Sequence, residues 1–116
     1  MMPGQTQDSS SKPQTLTLQQ ALALAVEHHQ AGDLPRAESI YNQILQADPN
    51  HSQALHLLGV IAHQRCDNDR AADLIGKALT ISLDYAEAHC NLGIVENKLG
   101  NSDQAVTSYQ KAIALK

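Results

Sequence analysis

Apolar and small residues along this chain recur at helical spacing, and the spacing itself recurs. Between Ser52 and Tyr85 the fixed points are Leu58-Gly59, Ala71, Ile75 and Ala78. Moved forward by 34 residues they fall on Leu92-Gly93, Ala105, Tyr109 and Ala112; moved back they fall on Leu24-Ala25, Ala37, Tyr41 and Ile44, with no gap in either direction. Each copy is long enough for a helix, a turn and a second helix. Three such copies mark a helical repeat array, in which every helix pair buries its apolar face against its neighbours.

Capping and turn residues place six helices in this frame. Thr17 with Gln20 forms a capping box that starts a first helix running to about Ala31. Gly32 supplies a left-handed exit, Asp33 caps the next start, and Pro35 fits the first turn of a second helix from Leu34 to Ala47. Asp48-Pro49-Asn50 ends it, because the residue before proline is pushed out of the helical region, and a third helix covers about His51 to Arg65. The next turn, Cys66-Asp67-Asn68-Asp69, has no glycine, although Asp and Asn tolerate left-handed backbone and cap well. A fourth helix then spans about Asn68 to Ser82, with Gly76 read as a point of close packing. Asp84 with Glu87 reads as another box opening a fifth helix, closed by Gly100-Asn101, and a sixth runs from about Ser102 to the end. Residues Met1 to Thr15 are Ser, Gln, Pro and Gly rich, too poor in apolar content to offset the entropy of ordering. The organisation is thus a flexible tail over residues 1–16 and a repeat domain over 17–116, with copies at about 18–51, 52–85 and 86–116.

These positions closely resemble the tetratricopeptide repeat, which favours Leu-Gly in its first helix, small Ala midway, an aromatic then Ala in the second, and Asp-Pro at the boundary. The matches are Leu58-Gly59, Leu92-Gly93, Ala37, Ala71, Ala105, Tyr41, Tyr109, Ala78, Ala112 and Asp48-Pro49. Departures are Ala21, Leu55 and His89 where the family often has Trp, Cys66 where Gly32 and Gly100 stand in the other copies, and Leu83-Asp84 in place of Asp-Pro. The resemblance implies an all-α solenoid of three antiparallel helix–turn–helix pairs in a right-handed superhelix. It extends to the N-terminal arrays that precede bacterial glycosyltransferase or sulfotransferase domains, a likeness of fold rather than of site.

Composition narrows the function. With three Tyr as its only aromatics, the core must be built from Leu, Ile, Val and Ala. The net charge of −4 and absence of any Lys or Arg run argue against nucleic acid. Two Cys, 24 residues apart, give neither a disulfide framework nor zinc-site spacing, which favours a reducing, cytoplasmic setting. The longest apolar run, Ala21 to Val26, is too short to cross a bilayer.

In the family the first helix of each repeat lines the concave side. The resemblance therefore implies a peptide-binding groove presenting Leu22, Val26 and His29 from the first copy, Gln53, His56, Leu57, Val60 and His63 from the second, and Asn91, Ile94, Asn97 and Lys98 from the third. An apolar strip edged by amides and imidazoles suits an extended peptide or a helix laid along it. Six His invite a metal reading, but His56 and His63 are about 10.5 Å apart along a helix and no pair has the four-residue spacing that converges on one ion. Solvated or interface imidazoles are expected instead. Cys90 reads as a small apolar residue, since His89 projects about 100° away from it.

Some family members clamp acidic chaperone tails with Lys and Asn. The matching positions here are Leu22, Val26, Leu57, Glu87 and Asn91, which exclude that ligand. In the arrays of O-linked N-acetylglucosamine transferases an Asn ladder holds peptide backbone; Asn91 matches one rung, whereas Ala23 and Leu57 miss two. The expectation is a non-enzymatic module that needs no cofactor or metal and binds a protein or peptide segment. Its alternatives are the recruiting region of an enzyme whose catalytic domain lies beyond Lys116, and a scaffold that self-associates through Val106, Tyr109, Ile113 and Leu115 of an uncapped last repeat.

Overall fold

The computed structural model describes residues 16–116, and among these only helices form. They are α1 (Leu18–Gln30), α2 (Leu34–Ala47), α3 (Ser52–Gln64), α4 (Asn68–Ile81), α5 (Ala86–Lys98) and α6 (Ser102–Ala114). The flexible tail expected over residues 1–16 lies, apart from Leu16, outside the described residues. First helices begin at Leu18, Ser52 and Ala86 and second helices at Leu34, Asn68 and Ser102, so both sets keep the 34-residue interval read from the apolar pattern.

The helix ends follow the same interval. At α1 both halves of the capping box form: the Gln20 N–H donates to Thr17 Oγ1 at 3.0 Å, and the Thr17 N–H donates to Gln20 Oε1 at 3.0 Å. Asp33 and Asp67 accept from the Arg36 and Arg70 amides at α2 and α4. The three intra-repeat turns all pass through the left-handed region, at Gly32 (φ 84), Cys66 (φ 64) and Gly100 (φ 85). The box expected from Asp84 and Glu87 does not form. The N-cap of α5 is Tyr85, with no side-chain cap bond, because the interval that sets Thr17 and His51 as caps of α1 and α3 lands on Tyr85 and not on Asp84.

Helix pairs within a repeat close through glycine where side chains would collide. A Cβ on Gly59 would stand 2.7 Å from Ile75 Cγ1, and one on Gly93 would stand 2.7 Å from the Tyr109 ring. These contacts seat α4 on α3 and α6 on α5. Around them lie two apolar clusters, one centred on Ala25, Tyr41, Ile44, Leu58 and Ile61, the other on Ala62, Ala71, Ile75, Leu79, Ala88 and Val95. The first helices α3 and α5 also touch directly, which draws them together along one side of the array. An Arg65–Glu38 ion pair and a Ser82 hydroxyl donating to Ser52 Oγ at 2.9 Å add polar ties between distant positions. Gly76 departs from the expectation of close packing: a Cβ there would meet nothing within 4 Å.

Two measurements follow from this backbone. Cys66→Gly relieves the Cβ penalty at φ 64 and should raise stability by about 0.5–1 kcal/mol in chemical denaturation. Gly76→Ala should also stabilise, by about 1 kcal/mol, whereas Gly93→Ala should lose roughly 1–3 kcal/mol through overpacking against Tyr109. A common sign for the two alanine variants would contradict this packing.

Candidate functional site

The side lined by first helices carries most of the expected groove, in three states of burial. Gln53, Asn97 and Lys98 are exposed; Leu22, Val26, His29, Leu57, Val60, His63, Asn91 and Ile94 are half-buried; His56 is 1% exposed. Leu22 and Leu57 pack against the first apolar cluster. Between α3 and α5, Val60, His63, Asn91 and Ile94 converge on a narrow cleft of about 20 Å³, with Ile75 and Val95 beneath them. Of the apolar positions expected in the groove, Val60 and Ile94 thus meet beside the Asn91 amide, and Leu22, Val26 and Leu57 lie apart from this cleft.

Burial corrects the expectation of solvated or interface imidazoles at two positions. His56 and His89 are 1% and 7% exposed. His89 donates its Nε2–H to the Leu83 carbonyl at 2.8 Å. His56 lies between the Tyr85 hydroxyl, 2.8 Å from Nδ1, and the Asn91 amide nitrogen, 2.8 Å from Nε2. Its ring meets Tyr85 edge-on, with centroids 4.7 Å apart. Buried polar groups of this kind must be paired, and here both nitrogens are. His29 is likewise shared between Tyr41 Oη (3.2 Å) and Gln64 Oε1 (2.7 Å), and His63 Nδ1 donates to Asn68 Oδ1 at 2.7 Å. These bonds reach 29 and 35 residues along the chain, beyond what local patterning reveals.

Burial also sets the electrostatics. It lowers the His56 pKa from its ordinary 6.5, with Glu87 acting in the opposite direction. It pushes the Tyr85 hydroxyl up to about 12, helped by Glu87, and Tyr41 up to about 12, helped by Tyr85. His56, Tyr85 and Tyr41 are therefore neutral near pH 7.

The second helices line a larger opening that the sequence reading missed. It measures about 350 Å³ and lies between α4 and α6, lined by Gly76, Leu79, Leu83, His89, Leu92, Glu96 and Ser108 among others. Ser108 donates to Glu96 Oε1 at 2.7 Å in its wall. One repeat earlier the same positions hold Asn42 and Leu74 where this opening has Gly76 and Ser108. Leu74 packs against the first cluster. That substitution pattern was the available signal.

A six-helix array of equal pairs with an apolar, amide-edged inner side belongs to the class of helical-repeat interaction modules. The chain is a member of the tetratricopeptide repeat family: two tetratricopeptide repeat models match residues 28–81 and 86–116. Among solved structures it is similar to an O-GlcNAc transferase mutant of Thermobaculum terrenum (31% identity, TM-score 0.84), covering 96% of this chain and 20% of that one. It is also similar in fold to MamA (23% identity, TM-score 0.81), covering 94% of this chain and 64% of that one. A third likeness is to the second tetratricopeptide domain of Spaghetti bound to an HSP90 peptide (14% identity, TM-score 0.82), covering 92% and 99%. The chain thus spans 64% of MamA and a fifth of the transferase. Comparison with curated proteins gives no match. Among the described residues no helix is long and apolar enough to cross a membrane.

His56 makes stability depend on pH with a definite sign. Its folded pKa is lowered, so just below pH 6.5 the unfolded chain binds more protons than the folded one. Stability should fall as pH drops from 6.5 and level off beneath the folded value. His56→Gln should reduce this dependence, read as urea midpoints between pH 7.5 and 5.

Proposed function

We propose that the side lined by α1, α3 and α5 binds a peptide or protein segment, and that the chain acts as a non-catalytic recruiting module. The observation that carries this reading is the convergence of Val60 and Ile94 beside the half-buried Asn91 amide. Apolar surface there gives affinity, and the amide gives register by pairing with ligand main chain. The Spaghetti domain, of like fold, holds an HSP90 peptide. An acidic chaperone tail is not the ligand proposed here, because Leu22, Val26, Leu57 and Glu87 stand where a basic clamp would be needed.

Two further readings have their own support. The likeness to an O-GlcNAc transferase favours a role in presenting substrates to a glycosyltransferase or sulfotransferase domain of a larger protein. The last repeat favours self-association: Ile113 is 74% exposed, whereas Leu79, its equivalent one repeat earlier, is 6% exposed. Light scattering over a wide concentration range tests the latter, and a strict monomer would rule it out.

The groove is tested with peptides selected from a random display library against the wild-type chain, with affinities read by fluorescence anisotropy. Val60→Asp places a charge against an apolar ligand and should abolish measurable binding. Asn91→Ala should weaken binding by about 1–3 kcal/mol by leaving ligand groups unpaired. Lys77→Ala and Gln110→Ala, exposed on the second helices, should leave it unchanged. If the groove variants fold by circular dichroism and retain full affinity, the peptide sits elsewhere.

A further inference from the structure

The chain of hydrogen bonds from the groove into the interior has a direction, which the donor and acceptor inventory fixes. An asparagine Nδ2 only donates, so the His56 Nε2 that meets it at 2.8 Å carries no hydrogen. The imidazole proton then sits on Nδ1 and is donated to the Tyr85 hydroxyl oxygen, 2.8 Å away. On the same side of the array His29 is held as the opposite tautomer. Gln64 Oε1 only accepts, so it takes the His29 Nε2–H at 2.7 Å, and the Tyr41 hydroxyl donates to Nδ1 at 3.2 Å.

Building on the groove reading above, we infer that His56 is a positioning residue that turns the Asn91 amide nitrogen inward, so that Asn91 Oδ1 is offered to a main-chain N–H of the bound peptide. An unrestrained amide could present either end to a ligand. This one is held by an imidazole that is itself 1% exposed and braced by Tyr85. Among the described residues no protein group donates to Asn91 Oδ1, and the residue lies in the same cleft as Val60, His63 and Ile94. The partner this fits is an extended segment with at least one unpaired N–H facing α5.

The device is sensitive to acid. Protonation puts a hydrogen on His56 Nε2 directly opposite the Asn91 N–H donors, and two donors cannot share that contact. The amide turns over, Oδ1 faces inward, and the groove's acceptor becomes a donor that a ligand N–H cannot use. The groups acting on His56 are Tyr85, at the N-cap of α5, and Glu87 of α5, and Tyr85 acts in turn on Tyr41 of α2. His63 on α3 and His29 on α1 share the groove side and serve as controls. Burial keeps His56 neutral at pH 7 and delays the switch to acid pH.

Two measurements on the whole chain test this. Imidazole nitrogen chemical shifts at pH 7.5 should show His56 as the Nδ1–H tautomer and His29 as the Nε2–H tautomer; the Nε2–H form at His56 would overturn the inference without reference to any ligand. The second uses the display-selected peptide, chosen free of His, Asp and Glu. Its affinity should fall roughly tenfold or more between pH 7.5 and 5, the scale of one lost buried hydrogen bond. His56→Gln should flatten that profile, and His63→Gln and His29→Gln should leave it steep. If His56→Gln does not fold, Asn91→Ala removes the amide that turns over and should flatten the profile in its place. A pH-independent affinity that Val60→Asp still abolishes would sink the inference and leave the groove reading intact. Binding indifferent to Val60→Asp would remove the groove reading and the ligand role of Asn91 with it.

Discussion

The approach of the two helices within a repeat is the contact on which the architecture rests. At Gly59 and Gly93 any side chain atom would stand within 2.7 Å of the partner helix, against Ile75 and Tyr109 respectively. Such spacing lets thin, Ala-rich helices exclude water without large aromatics, and it fixes the tilt at which the next repeat must be received. Only with that tilt set do α3 and α5 come near enough for Val60, His63, Asn91 and Ile94 to share one cleft. The groove is a by-product of how each pair closes.

Much of this was legible from the residues because the governing signals are local and periodic. Helix ends fell where Thr17, Asp33 and Asp48-Pro49 place them, whereas the left-handed residue of the middle turn is Cys66, in register with Gly32 and Gly100, and not one of the Asp or Asn residues beside it. At α5 a local motif, Asp84 with Glu87, was set against the array's interval, and the interval prevailed by putting Tyr85 at the cap. Gly76 was read as a point of close packing, yet a Cβ there would meet nothing within 4 Å. The buried state of His56 could not be read locally, since Tyr85 and Asn91 lie 29 and 35 residues further along the chain.

The two sides of the array differ in how they treat polar atoms. Along the inner side imidazoles, amides and phenols pair with one another, at His29 with Tyr41 and His56 with Tyr85 within a repeat, and at His29 with Gln64 and His56 with Asn91 across repeats. Along the second helices the gap between α4 and α6 pairs only close neighbours, Ser108 with Glu96 and His89 with Leu83. Such pairing ties this side to the relative placement of the repeats, so a change at Tyr85 or Gln64 reaches the proposed groove without facing it. The outer gap has no such coupling.

Burial is also uneven from one repeat to the next. Seven of the thirteen residues of α3 are buried, whereas α1 buries only Ala25. In an array where each unit is stabilised chiefly by its immediate neighbours, such a gradient separates the chain into parts that open at different free energies. Amide hydrogens of α3 would then exchange with solvent only near global unfolding, and those of α1 far sooner. The middle repeat holds both His56 and Val60, so the part of the proposed groove contributed by α3 sits on the least yielding segment of the array.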